Sequence, residues 1–148
     1  MIKRRRNPER GESEDPMEMK LTRLSLEKQF DLNMLFKIHG VQAFTCTRTA
    51  AEAAGITNVF CAFADVENRH VVLIEDDCDG LSSETIRIIM CRELAHVLIP
   101  SLAADQADEF ATRFANQAAV KKAHEEMEKV RLRIQYARTG IYTPAEIF

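Results

Sequence analysis

The sequence predicts an α+β domain, with about three strands packed on helices and a long helix at the carboxyl end. Three observations carry that prediction. Two β-prone runs, 58–65 (NVFCAFAD) and 69–75 (RHVVLIE), flank a short polar break and read as an antiparallel hairpin. A helical pattern then runs from the serines at 82 and 83 to a proline at 100. Beyond it, no helix breaker interrupts residues 106–138.

Residues 1–20 are almost wholly polar, with two prolines and blocks of both charges, so they read as a flexible charged arm. Residues 21–39 read as a helix. Leu26, Phe30, Met34 and Ile38 recur every fourth residue, Leu35 widens the stripe, Ser25 suits an N-cap and Gly40 a C′ position. Residues 41–47 (VQAFTCT) read as a strand, and alanine-rich 48–55 as a short helical turn. Residues 76–81 (DDCDGL) form a loop without the register of a calcium site. The helix after it places Ile86, Met90, Leu94 and Val97 in its core stripe. Asp105 suits the cap of the last helix, whose Val120, Ala123, Met127, Val130, Ile134 and Ala137 step by threes and fours. Gly140 ends that helix, and Thr143-Pro144 suits a final turn. The division expected is an arm (1–20), a domain (21–118) and a helical extension (119–148).

Composition narrows the function classes. The 148 residues are 46% hydrophobic and 29% charged, enough for one core without staples. A net charge of −3 excludes a wholly basic nucleic-acid coat. No apolar run approaches the ~18 residues of a membrane span, and the charged amino end does not read as a secretory signal. Cys46, Cys61, Cys78 and Cys91 form no Cys-x-x-Cys pair, so they read as reduced, half-buried thiols of a cytoplasmic protein.

The informative segment is Cys91-Arg92-Glu93-Leu94-Ala95-His96. In a His-Glu-x-x-His helix, two histidines one turn apart bind one zinc, and the glutamate activates the metal-bound water. Glu93 and His96 stand in that register, with Arg92 where the first histidine belongs. Upstream lie the strand Val71-Val72-Leu73-Ile74 and an acidic loop, and downstream lies Asp108-Glu109-Phe110-Ala111-Thr112-Arg113-Phe114-Ala115. This order resembles the ImmA/IrrE-type zincin metallopeptidases over residues 25–118. Residues 93–98 (ELAHVL) and 111–115 (ATRFA) carry the match.

The resemblance implies a zincin-like domain in which Glu93 is the catalytic glutamate and His96 a metal ligand. Glu109 would be the third ligand, although the family register falls on Phe110. Arg92 breaks the ligand set, because a guanidinium stays protonated and repels a divalent cation. It can instead replace the metal's charge by pairing in the neighbourhood of Glu93, or with Glu109 or Asp108 of the next helix. The function expected is therefore a degenerate zincin-like domain, a pseudo-metallopeptidase binding zinc weakly or not at all. It would act as a protein-binding regulator or antagonist encoded by a phage or mobile element, with a transcriptional regulator as its partner. An active zinc endopeptidase that cleaves a helix-turn-helix repressor is the alternative. A small nucleic-acid-associated protein is the second, motivated by Lys3 to Arg6 and by Lys121, Lys122, Lys129, Arg131 and Arg133.

Other residues complete the expectations. Arg69 and His70 open a strand, with His70 read as an exposed edge residue; the zincin resemblance implies that the two would flank a bound peptide there. His39 suits a helix C-terminus, and His124 a solvated face. Leu94 and Phe114 are expected where the two site helices cross. A helix over 106–138 would span roughly 50 Å and protrude in part, so its seam either folds back onto the body or makes Met127 and Ile134 contacts for a partner or for a homodimer.

Overall fold

The structure, a computed structural model, describes residues 19–139. Residues 1–18 of the expected arm (1–20), the Gly140 helix stop and the Thr143-Pro144 turn lie outside the described residues. The fold is α+β: a four-stranded mixed sheet, with helices that end in one long carboxyl-terminal helix.

In chain order the elements are β1 (Thr22–Arg23), α1 (Phe30–Ile38), β2 (Gln42–Cys46), α2 (Arg48–Ala53), β3 (Ala62–Asp65), β4 (His70–Ile74), α3 (Ser83–Leu98), α4 (Ala104–Ala111) and α5 (Gln117–Thr139). The sheet order is β1-β2-β4-β3. The predicted hairpin is present, with β3 and β4 antiparallel and Phe63 opposite Val72. Strand β2 runs parallel to β4, with Phe44 opposite Val72, and β1 adds antiparallel to β2.

Strand alternation divides the sheet into two faces. Ala43, Ala62, Val71 and Leu73 face the main core, where Ile88, Ile89 and Leu94 of α3 are buried. Cys46, Val72 and Ile74 lie in a second cluster with Phe44 and Phe63. All four cysteines are buried free thiols.

Several expected elements are corrected. The helix expected over 21–39 begins only at Phe30, because residues 22–23 pair as a strand and Ser25 accepts a hydrogen bond from the Glu27 amide instead of capping. Its buried side is Leu32 and Phe36, whereas Met34 and Ile38 are 42% and 69% exposed. Two apolar stripes were available on that helix, and packing against the body selected the other one. Gly40 does terminate it, in the left-handed region at φ 66°.

The helix expected over 106–138 is broken. α4 stops at Ala111 and α5 starts at Gln117. The Thr112 hydroxyl donates to the Glu109 carbonyl, and the Asn116 side chain accepts from the Ala119 amide at 2.7 Å. Both side chains give the backbone an alternative to the helix ladder. α4 is capped from Ala103, not Asp105.

α5 does not protrude. It packs along α3 with Ala119, Val120, Ala123 and Val130 buried. Met127 and Ile134 are partly buried against the same core. At its far end Arg138 pairs with Glu52 of α2 at 2.8 Å and lies over the Phe60 ring. Of the partners open to the seam, its own body is the one that Val120, Ala123 and Val130 pack against.

Candidate functional site

The site is built where α3, α4 and α5 meet. Ser82 caps α3 by accepting from the Thr85 amide at 3.2 Å, and Glu84 sits in the first turn, where the helix dipole favours it. Fifteen ångströms or so along that helix come Arg92, Glu93 and His96. The four-residue spacing places Arg92 and His96 on one face.

Arg92 Nε lies 2.7 Å from Asp108 Oδ1 of α4, with side-chain exposures of 11% and 25%. This contact is an ion pair without hydrogen-bond geometry, as neither atom makes a hydrogen bond. The other carboxylate oxygen, Oδ2, lies 2.7 Å from His124 Nε2 of α5. Arg92 Nη1 also faces the Met127 sulfur at 3.9 Å. One carboxylate thus ties all three helices, and the charge of Arg92 is what neutralises it.

The neighbouring groups respond to burial and to that arginine. Burial pushes the Glu93 carboxyl up to about 7, against the opposing pull of the Arg92 charge. Burial lowers the His96 imidazole, the Arg92 charge lowers it further, and Asp108 pulls the other way. Near neutral pH the helix therefore presents a partly protonated carboxyl and a neutral imidazole beside a fixed cation. Glu93 can exchange a proton in that range, and His96 can accept one.

The donor set does not fit a divalent cation. Arg92, which stands where the resemblance expects a first ligand, has its charge paired to Asp108. Among the described residues no group of three His, Cys, Asp or Glu side chains converges to hold a metal. Glu109, the expected third ligand, is exposed and lines a groove of about 240 Å³ with Ala95, Ile99 and Phe110. Asp108 is the carboxylate that α4 turns toward α3.

The other expected contacts are also redistributed. His70 is not an edge residue, because β4 is an interior strand between β2 and β3. Its ring packs 4.4 Å from Phe44, and its Nδ1 is buried without a hydrogen-bond partner. Arg69 occupies the left-handed region at φ 57° in the hairpin turn and donates to the His39 carbonyl. Leu94 is fully buried, whereas Phe114 is only partly so and packs with Phe110 at 5.5 Å. His124, expected on a solvated face, is half exposed but bonded to Asp108. Of the basic series on α5, Arg131 pairs with Glu128 and Lys122 with Glu126, so the helix does not present an unbroken basic stripe.

A second polar centre was not legible in the sequence. Asp77, in the acidic loop, is buried and forms an ion pair with Arg48 of α2. It also accepts from the Cys61 amide at 2.8 Å, while Arg48 donates to the Val59 carbonyl at 2.9 Å. Nothing separates Asp77 from Asp76 and Asp79 except the tertiary contact itself. The pair fastens the loop before α3 to α2 and so fixes where α3 begins.

Comparison of this chain with protein-family models, with curated proteins and with solved structures finds no match in any of the three.

Proposed function

We propose that this chain is a zincin-like domain that has exchanged its metal for an arginine and works by binding a protein. The observation that supports this most is the 2.7 Å ion pair between Arg92 and Asp108. In the family that residues 91–115 resemble, a divalent cation joins the glutamate-bearing helix to the next one. Here a guanidinium supplies that positive charge, and it cannot polarise a water as a Lewis acid does. The order of strand, acidic loop, site helix and second helix agrees with the same reading.

The partner class implied is a transcriptional regulator, which the domain would bind without cleaving. A cytoplasmic setting and a phage or mobile-element origin accompany that reading. Elemental analysis of the purified full chain, beside Arg92→His, tests it. The natural chain should carry no stoichiometric zinc. The variant removes the cation, frees Asp108 and adds an imidazole one turn from His96. It should bind zinc and melt higher with zinc present, by about 2.7 kcal/mol at a hundredfold excess over Kd. Stoichiometric zinc in the natural chain, with metal-dependent cleavage of a helix-turn-helix repressor, would establish the active endopeptidase instead. A variant indifferent to zinc would count against the zincin resemblance itself.

A further inference from the structure

A cleft of about 580 Å³ lies between the chain leading from β1 to α1, α1 itself, the start of β2 and the turn joining β3 to β4. That volume is in the range of small-molecule sites. Its lining divides by chemistry. Leu26, Phe36, Val41 and Ala43, all buried core residues, supply an apolar floor. Ser25, Asn33 and Gln42 supply neutral hydrogen-bonding groups.

Arg23, Lys37 and Arg69 supply three cations, against the single carboxylate of Glu27. These cations differ from most arginines elsewhere in the fold. Arg48, Arg87, Arg92, Arg131 and Arg138 each have a carboxylate partner. Among the described residues Arg23 and Lys37 have no ion-pair partner, and Arg69 reaches only a backbone carbonyl, that of His39. A chain of net charge −3 therefore places three cations without a carboxylate partner among the described residues around one concavity. That contact also anchors the Arg69 guanidinium at the end of α1, which lowers the entropy lost when it holds a ligand.

We propose that this cleft binds a small organic phosphate of about the size of a nucleoside monophosphate. A dianionic phosphate uses several cations at once, and guanidinium groups suit its planar pairs of oxygens. The cleft has far more room than a bare phosphate needs. The apolar floor and the neutral amides are placed to receive an organic body. The site is separate from the Arg92–Asp108 pair and does not depend on how that pair is interpreted.

The test is an NMR titration of the full chain with adenosine monophosphate, phenyl phosphate, inorganic phosphate and adenosine. The two organic phosphates should shift amides of Arg23, Lys37, Gln42 and Arg69 saturably, with Kd about 1 mM or tighter. Inorganic phosphate and adenosine should each bind about tenfold or more weakly. Added salt should weaken the organic phosphates. Arg23→Gln with Arg69→Gln should reduce affinity about tenfold. Lys37→Gln, at an exposed position with no ion-pair partner among the described residues, should reduce it a few fold while leaving the melting temperature nearly unchanged. The proposal is overturned if neither organic phosphate gives a saturable shift at those amides at about 10 mM. It is also overturned if inorganic phosphate binds equally well, or if the substitutions leave affinity unchanged.

Discussion

Replacing Glu93 with glutamine removes a charge whose cost depends on pH. Burial raises this carboxyl from 4.5 to about 7, so the folded chain holds the proton more tightly than the unfolded chain. The carboxyl therefore favours folding most when protonated. Its penalty grows as pH rises from the unfolded value toward the folded one, and is complete above both. At about 1.4 kcal/mol per tenfold change in proton affinity, the full penalty is on the order of 3 kcal/mol. Water reaching the partly exposed group reduces it toward 1 kcal/mol. Glutamine keeps the shape and stays neutral. Glu93→Gln should thus unfold at higher urea by about 1–3 kcal/mol near pH 8, and by well under 1 kcal/mol near pH 5. His96 has a lowered affinity for its proton, so it withdraws stability as pH falls through its range. It is present in both proteins and largely cancels in the difference. The assay is urea denaturation followed by circular dichroism across that window. Parallel stability profiles for the two proteins would refute the idea that Glu93 is desolvated.

Three further outcomes follow from the packing. Asp77→Ala strips Arg48 of its carboxylate and the Cys61 amide of its acceptor; it should lower unfolding free energy by about 3–5 kcal/mol in the same urea assay. Asp108→Asn leaves Arg92 without its counter-charge and weakens the contact to His124. A loss of about 1–3 kcal/mol is expected, and Arg92→Met in the same chain should recover part of it, as a double-mutant cycle would show. Val130→Lys places an ammonium where Val130 is buried against the body. It should release the far half of α5 to faster amide exchange, and protection unchanged there would mean that the helix does not need this contact.

The elements legible in the sequence are those whose pattern is local. The β3–β4 hairpin and α3 each carry their own signals: apolar runs with aromatic and β-branched residues around a polar turn in one, a serine cap and a terminating proline in the other. Elements that depend on distant contacts were misread. β1 is two residues long and exists only because Thr22 and Arg23 pair with β2, so nothing within 21–29 distinguishes it from the start of a helix. The parallel pairing of β2 with β4 brings together segments separated by α2 and β3, and no local periodicity reports it. The break after Ala111 contains neither glycine nor proline. It is made by Thr112 and Asn116 bonding to the backbone, a preference too weak to read without the turn that uses it.

The candidate site shows the same division within four residues. Arg92 and His96 share a face because both lie on one helix, and the helical period alone says so. The third partner depends on the rotation of a different helix, and each residue of misregister there turns the face by about 100°. Ala107 and Ala111 are fully buried and define the side of α4 that meets the core. Asp108 lies about 100° from Ala107, on the flank of that face, while Glu109 lies roughly opposite it. The two alanines were visible in the sequence as a four-residue repeat of small side chains, the pattern that lets helices approach closely. That repeat would have favoured Asp108 over Glu109. The family register pointed instead at Phe110, whose ring the structure packs against Phe114 at 5.5 Å. The helix is thus oriented by its small and aromatic residues, and which carboxylate meets Arg92 is a consequence of that packing.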